Sequence, residues 1–255
     1  MLKTITIVTI FFFSCCNLVS KKHTENQNEI KGIILTDNFP LIGKTGKLEG
    51  YDTLVTQIYY CRDLTLYQLS YHYDSSVENV SLKSETRHHY FVHKRGDVYG
   101  YDYDEHKPQS GNRIFADSLF KKEWCMLINP YPILIKNNVV LISSQKNADS
   151  GILEETYSIK GKSDTTMSGT VFLSFGNRLK NIDYSLSREL DSIKKMKLYT
   201  VRMVNNSRYI KDYNITLDRI EQRYTLKEIP IIINYSEIKG YFDKYDADNL
   251  NKKRP

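Results

Sequence analysis

Between residues 64 and 73 the side chains alternate, with Thr65, Tyr67, Leu69, Tyr71 and Tyr73 in one set and Gln68, Ser70 and His72 in the other. Period-two patterning places each set on its own face of a pleated strand, so a chain that keeps returning to it has to build sheet. Twenty tyrosines among 255 residues pull the same way, because tyrosine suits half-buried pleated surfaces. Strands are expected at residues 32–35, across 53–103, and at 152–159, 198–204, 213–220 and 224–233. A polar loop is expected around Asp74, Ser75 and Ser76. Hairpins are expected over Arg95-Gly96-Asp97, over Lys136-Asn137-Asn138 (joining 133–135 to 139–142) and over Gly176-Asn177-Arg178 (joining 169–175 to 179–186). Two short helices are expected: 113–124, capped by Asn112 and with Ile114, Phe115, Leu119 and Trp124 on its apolar side, and 187–195, with Leu190 and Ile193. The fold class is therefore mainly β (α+β), a curved or partly closed antiparallel sheet with two short helices.

The chain opens on MLKTITIVTIFFFSCC. Lys3 supplies a positive start, and Ile5, Ile7, Val8, Ile10 and Phe11 to Phe13 supply a short apolar run. That run falls well below the roughly 20 residues of a membrane-crossing helix, and it reads as an export signal. The ending Phe12-Phe13-Ser14-Cys15 resembles the lipobox of bacterial lipoproteins, with a large apolar residue three places before the cysteine and a small one directly before it. The frame one residue later, ending at Cys16, is the reserve. The resemblance implies cleavage after residue 14 and acyl chains on Cys15, several of which make a stable anchor where one is marginal. Residues 15–30 then form a polar tether, 31–245 one β-rich domain or two similar halves (31–130 and 131–245), and 246–255 a polar tail. Neither an aspartate nor a dense acidic run follows the cysteine, which favours an outer-membrane lipoprotein facing the periplasm.

Net charge is +6, of which residues 1–14 contribute only Lys3. Both signs are interspersed, so the excess reads as a solvated surface with some affinity for anionic headgroups, and an exported chain has no nucleic-acid partner. Beyond the leader, Cys61 and Cys125 either pair, closing a loop of about 64 residues for roughly 4 kcal/mol, or remain separate thiols. Five histidines, His72, His88, His89, His93 and His106, share one segment. On a strand His89 and His93 stand roughly 13 Å apart, too far to share an ion, so neither metal nor cofactor is expected. Asp102, Asp104 and Glu105 make an acidic patch beside them, and a hydrolase would need Asp102, Asp104 and a histidine to converge. Gly43-Lys44-Thr45-Gly46 fails as a phosphate loop, since Asn38 stands where the required glycine should be, and is expected to be a turn.

Tyr67, Tyr71, Tyr99, Tyr101 and Tyr103 offer either the packed side of a sheet or an open aromatic surface for an apolar or saccharide ligand. The order of strands and inserted helices resembles exported carriers and receptors of the lipoprotein-sorting type, which have an incomplete barrel and a helical lid. That resemblance implies a non-enzymatic, membrane-tethered protein that binds a hydrophobic or lipidic ligand or maintains the envelope. The alternative is an immunity-type lipoprotein that acts on a protein partner.

Overall fold

The computed structural model describes residues 29–77, 80–107, 109, 111–123, 125, 128–136, 138–161, 168–230, 232 and 234–252, with backbone alone for 72–77, 80–85, 251 and 252. The leader, Cys15, Cys16, the tether to residue 28, Trp124 and Asn137 lie outside the described residues, as does the side chain of His72. Six strands come first: β1 (Lys31–Ile42), β2 (Leu48–Cys61), β3 (Leu64–Val77), β4 (Val80–Lys94), β5 (Tyr99–Asp104) and β6 (Asn112–Phe115). Helices α1 (Ala116–Phe120) and α2 (Tyr131–Leu134) follow, then β7 (Val139–Lys146), β8 (Leu153–Ile159), β9 (Gly169–Gly176) and helix α3 (Arg188–Lys194). The last stretch holds β10 (Lys197–Asn205), the small pair β11 (Arg208–Ile210) and β12 (Ile215–Leu217), β13 (Ile220–Ile229) and helix α4 (Tyr235–Lys252).

Eleven strands form one antiparallel sheet in the order β6-β5-β4-β3-β2-β1-β13-β10-β9-β8-β7. The first and last main strands meet at its middle, where Leu35 of β1 faces Leu226 of β13 and Thr56 of β2. One sheet thus runs through 31–130 and 131–245. The outer strands β6 and β7 do not pair with each other, so the curved sheet remains an unclosed barrel.

Alternation divides the core in two. Ile33, Leu35, Ile58, Leu69, Phe91, Leu173, Phe175, Leu198 and Leu226 point to the concave side, and α1, α2, α3 and the turns at 177–187 pack onto them. Their neighbours along the strands, among them Tyr59, Leu66, Tyr90, Val92, Tyr101 and Tyr103, point the other way and are covered by Ile238, Tyr241, Phe242 and Tyr245 of α4. One carboxylate buried on the concave side is ion-paired: Glu155 receives Lys194 Nζ at 2.6 Å and the Tyr157 hydroxyl at 2.8 Å. At the N-terminus of α3, Ser187 caps by accepting from Leu190 N–H, as expected of a serine there. Asp191 of that helix accepts Leu198 N–H at 2.7 Å and pairs with Lys197 at 3.0 Å, locking α3 to the start of β10.

The sequence expectation of a mainly β, partly closed antiparallel sheet holds, while several local ones are corrected. Four helices are present among the described residues, not two. Residues 112–115 extend the sheet as β6, which leaves α1 only the second part of the expected 113–124 helix. Residues 131–134 are helical because Pro132 in the first turn sets a helical φ and needs no N–H partner, so the 133–135/139–142 hairpin is absent and β7 pairs with β8. Residues 179–186 are turns, not a strand. Their apolar side chains Leu179, Tyr184 and Leu186 enter the concave core, and the Tyr184 carbonyl accepts from Lys197 Nζ in place of a ladder partner. The stretch Asp74-Ser75-Ser76 continues β3 opposite β4 instead of looping. Strand 213–220 gives way to a short 3-10 turn (Lys211–Tyr213) followed by β12, and the strand expected at 224–233 runs from Ile220 to Ile229. The supposed tail belongs to α4 as far as Lys252, and Ile30 is buried in the second core, so the tether ends before it.

Candidate functional site

The five tyrosines singled out by spacing do not form one surface. Tyr67 is packed in the concave core, stacked on Phe91 at 6.3 Å and edge-on to Phe120 at 6.0 Å. Tyr71, on the same face, donates to Glu123 at 2.8 Å and meets the His89 ring edge-on at 5.1 Å. Burial raises both phenols far above their ordinary range. Tyr101 and Tyr103 lie on the opposite side beneath α4, where Tyr103 donates to Asp248 at 3.0 Å. Tyr99 alone is exposed, with the Arg113 guanidinium 3.8 Å over its ring.

The acidic patch behaves differently from one residue to the next. His89 Nδ1 lies 2.9 Å from Asp102, and Asp104 sits opposite His89 in the ladder, its carboxylate accepting His106 N–H at 2.7 Å. That backbone hydrogen bond holds Asp104 below its ordinary pKa. Ser70 lies 3.0 Å from His88 Nδ1, and alternation along β4 puts His88 and His89 on opposite faces. Ser70 therefore stands on the wrong side of the strand to be activated by the Asp102–His89 pair. Among the described residues, no group of three or more His, Cys, Asp or Glu side chains is placed to hold a metal ion. Cys61 and Cys125 are free thiols in separate surroundings: Cys61 borders the core under α4, and Cys125 is buried in the concave core. Burial pushes the Cys125 thiol up to about 12, which makes it a packing residue and not a nucleophile.

Concavity is found instead at one end of the sheet. The turns after β9 stand over the ends of β10 and β13 and enclose a cleft of about 600 Å³, walled by Ile152, Leu179, Tyr199, Thr225 and Leu226. A second, more polar cleft of about 400 Å³ adjoins it, walled by Ile30, Ile182, Ile229, Pro230 and Ile232 together with Glu29, Lys31 and Asn181. Arg178 and Glu228 line both. Arg178 stands at 85 % side-chain exposure with its Nε 3.5 Å from Glu228, a loose pair that a stronger anion can displace. Leu179, next in the chain, is buried and pins the turn, with support from Lys180 N–H to Asn177 O and Ile182 N–H to Leu179 O, both at 3.1 Å. Gly176 ends β9 beside the Tyr199 ring, where an added Cβ would come within 3.3 Å. Chemically, the arrangement offers one mainly hydrocarbon-walled cleft, a more polar one beside it and a bidentate-capable cation between them, which suits an amphiphile with an anionic head.

Sequence reasoning missed this site because its residues come from five distant segments and show no periodicity. The nearest signal was Gly176-Asn177-Arg178, a turn carrying an arginine directly before an apolar residue. No protein-family model and no curated protein matches this chain.

Proposed function

We propose that the chain is a membrane-tethered exported protein with a binding role, which holds the apolar part of an amphiphile in the end clefts and its anionic group against Arg178. The shared Arg178, at the mouth of a mainly apolar cleft and of a more polar neighbour, is the observation that carries this reading. The leader supports it from the other direction, since acyl chains on Cys15 would keep the domain at a bilayer, close to a supply of such molecules. An unclosed sheet with helices on its concave side is the layout that the resemblance to sorting carriers implies. Here that side is filled by side chains, so the proposed ligand sits at the end of the sheet instead of inside it. Native mass spectrometry of the full-length protein taken from its own envelope tests the proposal. A co-purifying lipid that is lost in Arg178→Glu supports it, and a ligand-free spectrum or one unaltered by that substitution refutes it.

A protein partner is the second reading, and one observation favours it. Along the open edge, Val140, Leu141 and Ile142 of β7 are exposed together with Ile135, which is 62 % exposed. An apolar edge strand offers both unpaired backbone groups and contact area to another chain. Cross-linking in the envelope through position 141 would capture that partner.

A further inference from the structure

The opposite end of the sheet carries a second feature, independent of the clefts and of any acyl chain on Cys15. The β1–β2 turn, residues 43–47, leans on the small β11–β12 pair. Gly46 takes a φ of 82°, and a Cβ there would lie 2.6 Å from the Thr216 carbonyl, so only glycine lets the two segments approach this closely. Asp218 staples them: its carboxylate accepts Leu48 N–H and Lys47 Nζ, each at 3.1 Å, and its own N–H donates to Gly46 O at 3.0 Å. Both of these hydrogen bonds to the carboxylate hold Asp218 below its ordinary pKa. The result is one stapled tip, made of the two segments together.

Its surface is apolar at the crest and basic around it. Tyr213, closing the Lys211–Tyr213 turn, is 74 % exposed, the most exposed large apolar side chain of the described residues, and Leu41 and Ile42 at the end of β1 and Tyr209 of β11 are each about 40 % exposed. Lys44, Lys47, Lys211 and Arg219 are exposed around them, with Arg208 half-buried. Carboxylates are fewer, and of Glu49, Asp212 and Asp218 the last is already engaged by Lys47. Monomeric surfaces seldom gather large apolar side chains at one tip without something to cover them. Tyrosine rings at headgroup depth, with lysine and arginine reaching the phosphates above, match an anionic bilayer surface in both polarity and sign.

We propose that this tip is a membrane-docking site, which inserts Leu41, Ile42, Tyr209 and Tyr213 into the interfacial region of a bilayer rich in anionic phospholipid. Hydrogen–deuterium exchange of the full chain tests this, measured alone, with phosphatidylcholine vesicles, and with vesicles that also contain phosphatidylglycerol. Expected is slowed exchange at residues 41–47 and 208–219 with the anionic vesicles and much less with phosphatidylcholine alone. Tyr209→Ser/Tyr213→Ser should abolish that protection. Lys44→Glu/Lys211→Glu should weaken vesicle binding through the tip on the order of tenfold or more. Unchanged exchange in the rest of the sheet shows that the variants are folded. Protection confined to other segments, equal with both vesicle types, or absent overturns the proposal. So does tip protection that grows with protein concentration without vesicles, which would identify a second copy as the occupant.

Discussion

Asp37 is 6 % exposed on β1, with Gln222 Nε2 at 3.2 Å from both of its oxygens. Burial raises its pKa, and the Gln222 hydrogen bond offsets part of that rise. A carboxyl that holds its proton more tightly when folded stabilises the fold below its unfolded pKa, and that contribution disappears as pH climbs through the folded value. Asp37→Asn should therefore gain on the native chain as pH goes from about 4 to about 7, in thermal melts at matched ionic strength. A difference that is flat or reversed would show that Asp37 is better solvated than its burial indicates. Glu155 is the complementary case, 3 % exposed and ion-paired at 2.6 Å. Removing its partner by Lys194→Ala leaves a buried charge with only hydroxyl donors, at a cost of about 3 kcal/mol in denaturant unfolding. Lys239→Ala breaks only the exposed pair with Asp243 and should leave the midpoint nearly unchanged.

Among the elements, α4 shows where reading a sequence by periodicity succeeds and where it gives way. Ile238, Tyr241, Phe242 and Tyr245 are spaced as one helical stripe, and all four are buried on the tyrosine-rich face of the sheet. The stripe is legible, yet the lysines and aspartates between its members mask it, so no helix is expected there and only residues 246–255, which continue α4 as far as Lys252, read as a polar tail. The turn prolines around 131 misled in the opposite sense, since an apolar run that suits a strand became a helix once Pro132 fixed its φ. Strands β8, β9 and β10 could be read almost to the residue, because each keeps part of its alternation buried, whereas β3 and β4 run on through the expected loop at Asp74-Ser75-Ser76. The clefts beside Arg178 were not legible at all. They depend on where separate strands end, which is set by sheet register and not by local pattern. If α4 is an integral cover, Phe242→Ala should cost about 3–5 kcal/mol, whereas Leu250→Ala, at a position 64 % exposed, should stay within about 0.5 kcal/mol. Equal and small effects would mean that the helix adds little to the fold.

At the scale of the whole molecule, the sheet has two ends with different chemistry, and β1 runs from one to the other. Lys31 lies by the clefts and Ile42 at the tip, eleven residue steps or about 36 Å apart. Mass spectrometry of the mature protein should find acyl mass on a chain that begins at Cys15, and Cys15→Ser should release it from the membrane fraction. An unmodified N-terminus elsewhere would overturn the tethering half of the proposal and leave the tip untouched. Between Cys15 and Ile30 the chain can span roughly 50 Å when fully extended, longer than the sheet itself. If both proposals hold, a body leashed at one pole and adhesive at the other has two postures to choose between. Reclining, it would spend most of its leash and grip the bilayer that holds it; upright, it would offer its grip to whatever surface stands across the gap.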